Sequence, residues 1–562
     1  MLEKNKTRKN KKLMLFTLFG LFLPIVLQNL PFSVSGTITG DSPPGLGDWI
    51  IDDTTVVENE YIIWNSSILI QGSADATFIN TTILFNTTTL DEKISATTTG
   101  IVNFTNCTFK AYNAENPLYE PFCIDISNSV ENFIMQDCFV EDYGTSFERN
   151  ILIRSKTFLI NNSFKKGYYG LYLYGLGIDL NRYAIIEDNT FEDQDAYDIR
   201  TQYYDNITIE NNVFLGSFQS FGGGYNISDC ENVTFKGNLI QHGQKQFAYH
   251  EFNDITLCIV SNNEFIGSSA DITLNFCTNG GINYNIFNGT TFSIKMVNCT
   301  WISGISHNTF VDCYTGTYIV GSKDPGVIRN TFTNMEKAAV QIRSYCETAT
   351  VAENVIEYSD EYGIFVYYTA GCLISDNNVS YCAHQGIFVQ YSANANIYDN
   401  IVTQCGWTGI DLYDADDSWV ERNICKENGR NGIQIEATEG GSINDNTCTG
   451  NTQSGMQIKS SSGVIVADNF LCHNYGDGLY VSYGSYEISV NSNDISYNEG
   501  SGILVDEDSE ANIGDTNTVE MNGDGDINDG SIDWLEILKW VAIGTAVIVF
   551  EIILVKVVKK KK

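Results

Sequence analysis

Basic residues are the first scarcity in this chain: 32 Lys and Arg stand against 69 Asp and Glu in 562 residues. With the two ends set aside, residues 37 to 533 hold 20 basic and 66 acidic side chains, a net charge of −46. Such a surface repels phosphate backbones and anionic headgroups, which argues against nucleic acid as a partner and makes divalent cations natural counterions. Histidine is next, with only His242, His250, His307, His384 and His473, and there is no His-rich or Met-rich cluster to hold a metal. The best grouping of soft donors, Cys382, His384 and Cys405, depends on stacking to bring it together, and no metal site is assigned. Proline falls to 7 while Gly reaches 48 and Tyr and Phe 31 each, a balance that favours strands joined by tight turns over helices. A change of character is also missing between about residue 60 and residue 520, which favours one repetitive body over several domains.

The long apolar runs sit at the ends. Lys4, Lys6, Arg8, Lys9, Lys11 and Lys12 precede an apolar stretch from Leu13 to Leu27, and small residues follow around Ser33, Ser35 and Gly36. This is the layout of a secretory signal peptide, residues 1–36, with an uncleaved anchor as the alternative. At the other end, residues 534–558 (Trp534 to Val558) are long enough to cross the bilayer as a helix, and the basic residues 559–562 are expected to stay in the cytoplasm. The expectation is a single-pass protein of the cell membrane with its body outside the cell. Twelve Asn-x-Ser/Thr sites, from Asn65 to Asn378, would carry glycans where the host has the machinery.

The body repeats. Asn354, Asn377, Asn400, Asn423, Asn446, Asn469 and Asn493 recur every 23 or 24 residues, and nine residues after each comes Gly363, Gly386, Gly409, Gly432, Gly455, Gly478 or Gly502. Looser copies begin at Asn189, Asn212, Asn238, Asn263, Asn285, Asn308 and Asn330. About nineteen coils at the ~4.8 Å spacing of paired strands give a rod on the order of 90 Å long. Asn and Gly accept positive φ cheaply, which suits sharp turns between short strands, and stacked Asn amides can bond along the rod; Asn428, Asn451, Asn474 and Asn498 form a second such column. Alternation beside the glycines points Ile364, Val366, Ile410 and Leu412 into an apolar core.

These Asn-x-Ile and Gly-Ile-x-Val coils, over about residues 60 to 520, resemble the pectin-lyase-like superfamily, in particular its NosD-like repeats. The resemblance implies an all-β, single-stranded right-handed parallel β-helix. It does not imply one activity, because that architecture carries lyases, hydrolases, epimerases, adhesins and a periplasmic family linked to copper-site maturation. The expected organisation is a lead-in and cap at 37–60, the β-helix at 61–520 and an acidic linker at 521–533 before the membrane span.

Fifteen cysteines follow the repeat. Cys425 and Cys448 take the inward position two after the column Asn, and Cys382 and Cys405 take the position that later coils fill with Asn428 and Asn451. Two readings stay open: small buried residues in register, or stacked pairs oxidised to disulfides.

The strand after each glycine should present its outward side chains in rows: Phe365 and Tyr367, Phe388 and Gln390, Asp411 and Tyr413, Gln434 and Glu436, Gln457 and Lys459, then Tyr480. Rings interleaved with amides and carboxylates suit a polysaccharide or surface glycan, although Tyr and Phe are also ordinary strand formers. The catalytic set that this face could offer is Arg343, Asp411, Glu436 and Lys459, with Glu436 and Lys459 equally readable as a cross-strand ion pair. Asp416-Asp417 and His242-Gly243 lie many coils apart, which counts against a pectinase. No cofactor is expected beyond Ca2+, for which Asp524, Asp526 and Asn528 have part of the ligand spacing. The sequence thus points to a membrane-anchored carbohydrate-binding or adhesion scaffold, with an extracellular polysaccharide lyase or glycoside hydrolase as the alternative.

Overall fold

The computed structural model describes residues 36–86, 93–112, 122–143, 151–175, 182–216, 223–242, 249–267, 271–300 and 302–528. Nearly all of the expected signal peptide, the span at 534–558, the basic tail and the linker from Asp529 onward lie outside the described residues. No helix among the described residues is long and apolar enough to cross a membrane.

The chain winds as a right-handed solenoid, and each coil lays one short strand into each of three sheets. In one of the most regular coils these strands are Leu373–Ser375 in the first sheet, Asn378–Ser380 in the second and Ile387–Gln390 in the third. Every named strand pairing among the described residues is parallel except that of Thr37–Thr39, which runs antiparallel to Thr55–Glu58 and covers the free edge of the first sheet. In the regular C-terminal coils register is strict: Ile364, Ile387, Ile410 and Ile433 are successive Cα partners in the third sheet, and all four are fully buried. The inward position two after the column Asn carries Phe265, Phe287, Phe310 and Phe332, whose rings stack with centroids 4.7, 4.9 and 4.5 Å apart. Burial of one such column per strand position makes the interior a continuous apolar stack.

The column asparagines form a ladder from Asn162 to Asn517. Asn400 is a representative rung. Its backbone N–H and its Nδ2 both donate to Asn423 Oδ1 (3.0 and 2.9 Å), its Nδ2 also donates to the Ile374 and Tyr398 carbonyls, and its Oδ1 accepts the same two bonds from Asn377. A second ladder runs from Asn428 through Asn451, Asn474 and Asn498 to Asn522.

The conformational reason expected for both columns is corrected by the backbone. Neither the ladder asparagines nor the column glycines have positive φ; the left-handed residue is the one before each rung from Asn162 to Asn493, as at Glu353, Asp376 and Asp399 with φ of 55° to 57°. Asparagine is there for its amide, and glycine for lack of space. A Cβ on Gly432 would lie 2.6 Å from the Gly455 carbonyl oxygen and 2.8 Å from Asn451 Nδ2.

The solenoid also extends past both expected limits. Trp49–Ile51 already pairs in parallel with Ile68–Ile70, and Ile527–Asn528 still pairs with Ile503–Val505. The first coil is invisible to the repeat because side chains other than the column pair hold its turn: Asp41 Oδ2 accepts both the Asp52 and Asp53 N–H groups.

Replacing Asn400 by Leu strands several buried backbone and amide groups at once, so we expect a loss of about 3 kcal/mol or more. Asn396→Ala, on an exposed position of the first sheet, should stay within about 0.5 kcal/mol. Chemical denaturation of both variants beside the parent chain measures the difference.

Candidate functional site

The outward rows of the third sheet fall in two columns set by strand register. One reads Gln341, Phe365, Phe388, Asp411, Gln434, Gln457, Tyr480 and the other Arg343, Tyr367, Gln390, Tyr413, Glu436, Lys459, Ser482. All the side chains singled out from sequence therefore share one face, but they divide into three groups with different chemistry.

The first group is aromatic and cationic. Phe365 and Phe388 stack with centroids 5.3 Å apart and 13° between planes, and the Arg343 guanidinium lies 5.0 Å from the Phe365 centroid and within reach of Tyr318 and Tyr367. These faces are occupied by neighbours, so Phe365 offers little ring surface to a sugar. Arg343 stands three strands from the row of Tyr413, on the order of 14 Å at the usual spacing, and is thus not gathered with the carboxylates.

The third group, toward the C-terminal end, is a self-satisfied polar network. Lys459 Nζ donates to Glu436 Oε1 at 2.7 Å and Gln434 Nε2 to Glu436 Oε2 at 3.2 Å. Asn431 Nδ2 donates to both Gln434 Oε1 and Gln457 Oε1, and the Tyr480 hydroxyl donates to the Asp506 carboxylate at 3.0 Å. Glu436 and Lys459 form the cross-strand ion pair that the ladder positions allow.

Between these groups lies Asp411. It is 6% exposed, its Oδ2 accepts from Gln385 Nε2 at 2.8 Å, and its Oδ1 has no partner. Burial pushes its carboxyl up to about 6 from the ordinary 3.8; the Gln385 bond opposes the rise and the charge of Glu436 adds to it. The rim beside it was not found from sequence. His384 stacks on Trp407 with centroids 4.4 Å apart, and the Arg430 guanidinium covers the other side of Trp407 at 4.3 Å. These residues come two before successive column glycines, a fixed offset that could have exposed them as a column. With its imidazole on Trp407, His384 is engaged on the rim, whereas Cys382 and Cys405 are buried. His242 is likewise internal, with Nε2 3.1 Å from Asp198 Oδ2 and its ring stacked on His250.

A shallow groove of about 320 Å³ opens where the chain leaves the third sheet, lined by Tyr368, Tyr391, Ala393, Asp414 and Asp416. Tyr368, Tyr391 and Asp414 have φ near 50°, the left-handed position ahead of the next buried rung. The Tyr368 and Tyr391 rings stack at 4.8 Å, and Tyr413 meets Tyr391 edge to face at 5.5 Å. Asp416 Oδ1 is held by the Glu439 N–H at 2.7 Å. The Asn522–Asp526 segment is also engaged, since Asn522 N–H and Nδ2 both donate to Asp526 Oδ1. No group of three His, Cys, Asp or Glu side chains that could hold a metal occurs among the described residues.

The chain matches the family described as the right handed beta helix region over residues 150–282, 248–372 and 362–522, and it belongs to that family. No curated protein matches it. Similar solved structures include the periplasmic alginate epimerase AlgG, 11% identical, with 89% of this chain and 96% of that one covered at a TM-score of 0.30. The Azotobacter vinelandii mannuronan C-5 epimerase AlgE4 A-module is 12% identical, covering 67% of this chain and 91% of that one at 0.29. The Dettilon tailspike protein gp208 is 12% identical, covering 69% and 61% at 0.27.

With its carboxyl raised to about 6, Asp411 binds a proton more tightly in the folded chain than in the unfolded one. Its ionisation therefore removes stability as pH rises from about 4 through 6, by roughly 3 kcal/mol in total. Asp411→Asn should gain up to about that amount over the parent at pH 8 and nothing at pH 4, measured by denaturation at both values.

Proposed function

We infer that this protein is a membrane-anchored cell-surface rod that binds carbohydrate along the face formed by the third sheet and its following turn. The supporting observation is the groove at Tyr368, Tyr391, Ala393, Asp414 and Asp416, where stacked phenols adjoin two carboxylates. Ring edges and hydroxyls can meet the apolar and polar sides of a sugar, and carboxylates accept two hydroxyl bonds at once. Tyr367, Phe388, Gln390 and Tyr413 continue the contact toward Asp411, with Phe365 backing Phe388 from behind the stack, while Gln434, Gln457 and Tyr480 border it through the polar network. The local carboxylates and the acidic body favour neutral glycans, or glycans bridged by Ca2+, over polyanions that meet the protein directly.

In this reading residues 1–36 export the chain, 534–558 hold it in the membrane, 559–562 remain cytoplasmic, and glycans occupy exposed Asn-x-Ser/Thr sites. Deleting residues 534–562 should move the protein from the membrane fraction to the medium of expressing cells; retention in the membrane would refute the C-terminal anchor.

A second reading, an extracellular polysaccharide hydrolase or lyase, draws on Asp411, whose raised carboxyl and free Oδ1 suit a proton donor or acceptor. One experiment separates the two. Full-length protein in detergent is mixed with neutral and acidic polysaccharides, with and without Ca2+, and both retention in affinity electrophoresis and new reducing or unsaturated ends are measured. Binding without product is expected. Tyr391→Ala should weaken it by roughly tenfold or more, and Tyr358→Ala, on a different corner of the coil, should leave it unchanged.

A further inference from the structure

Four pairs among the fifteen cysteines sit one coil apart as neighbours in the stack: Cys107 with Cys138, Cys277 with Cys299, Cys382 with Cys405, and Cys425 with Cys448. All eight are at most 3% exposed. Cys425 and Cys448 are direct Cα partners in the second sheet. In the other pairs a backbone bond ties the two coils at the cysteine itself: Phe139 N–H to Cys107 O at 2.8 Å, Thr300 N–H to Cys277 O at 2.9 Å and Gly406 N–H to Cys382 O at 2.7 Å. Parallel neighbours about 4.8 Å apart lie inside the roughly 4.4–6.8 Å Cα range of a disulfide.

The pairing is selective. Cys230, Cys313 and Cys472 instead meet the hydroxyls of Thr201, Thr290 and Thr449. Three of the four pairs also head a polar ladder. Cys107 N–H donates to Cys138 Sγ at 3.4 Å, and Cys138 N–H to Asn162 Oδ1 at 2.9 Å, where the long asparagine ladder begins. Cys405 N–H donates to Asn428 Oδ1, the first rung of the second ladder. Cys299 N–H donates to Ser322 Oγ, opening a column of small rungs in which the Ser322 N–H donates in turn to Cys346 Sγ at 3.4 Å. At these heads sulfur replaces the amide, and thiols are weak hydrogen-bond partners, so these are the rungs where a covalent link would add most to the connection between coils.

We propose that these four pairs are disulfide sites, each stapling one coil to the next, three at ladder heads and one in the apolar core. The inference is independent of glycan binding. The chemistry is thiol–disulfide exchange with a small-molecule disulfide. A cysteine thiolate breaks that S–S bond, and its coil neighbour then displaces the mixed disulfide. One S–S bond forms in the protein, two thiol protons are released, and the small disulfide leaves reduced by two electrons as two thiolates. Burial requires the exchange to occur while a coil is closing; afterwards the bond is shielded from reductant.

The test uses the full chain, unfolded with reductant and refolded in detergent with reduced and oxidised glutathione, then alkylated in denaturant and mapped as peptides by mass spectrometry. A parallel sample is taken from cells that export the protein. Cross-linked peptides at these four positions, with the other seven cysteines alkylated, are expected, and all fifteen should be alkylated after reduction. Cys425→Ala together with Cys448→Ala should remove one link and leave three. Alkylation of all fifteen in the refolded sample without reduction, links at fewer than two of the four pairs, or links predominantly between other cysteines would overturn the proposal; if the double variant does not fold, the map of the parent chain still decides.

Discussion

The structure depends on a change of hydrogen-bond direction at the corner between the first and second sheets. At Glu353 the backbone N–H donates to Ser375 of the next coil, whereas at Val355 it donates to Asn330 of the coil before. The residue between them, Asn354, is left with a buried N–H that neither direction serves, and an unmet buried donor costs about 1–3 kcal/mol. The side chain of Asn377 accepts it at 3.0 Å, and the same deficit is met in the same way from Asn162 to Asn493. From Asn162 onward that amide is what lets the two sheets meet at the corner with no buried donor unmet, and it keeps the inward columns of Ile, Val and Phe in register; the earlier coils close the same corner with Cys107 and Cys138.

The same corner determines what reaches solvent. A left-handed residue precedes the rung and turns its side chain outward, so the exterior gains a column of its own at each corner. Some columns are paired by charge, as in Arg422 with Asp399, and others by rings, as in Tyr358 with Tyr381. Glutamate, arginine and tyrosine all take this strained conformation because the backbone bonds on both sides hold it.

This explains which parts could be read from the residues alone. The Asn and Gly columns give the period, and with it the sheets, the inward set and the two outward rows that include Phe365 and Asp411. Their physical reason was hidden, because φ is not visible in a sequence: Asp399 and Asn400 exchange the roles that propensity would assign. The first coil was missed since its turn relies on Asp41 rather than on a column pair. The His384, Trp407 and Arg430 stack was missed because three unlike residues form a column only when their planes align, and the commitment of Gln434 and Gln457 to Asn431 depends on rotamers.

In a solenoid, like residues stacked at one strand spacing satisfy one another: amides bond amides, rings cover rings and opposite charges pair. A face made of unbroken columns therefore has little left for a ligand. Binding capacity arises where a column changes identity, since the last member of one kind then faces a neighbour that cannot complete it. Three outward columns break together within one or two coils: Phe388 gives way to Asp411, Tyr391 to Asp414 and Trp407 to Arg430. Phe388 has no polar group to offer Asp411 Oδ1, which is unpaired; burial raises the Asp411 carboxyl, and the groove opens where the stacked tyrosines end at Asp414. The candidate site is thus a consequence of broken periodicity, and the regular coils on either side hold the break in a fixed geometry.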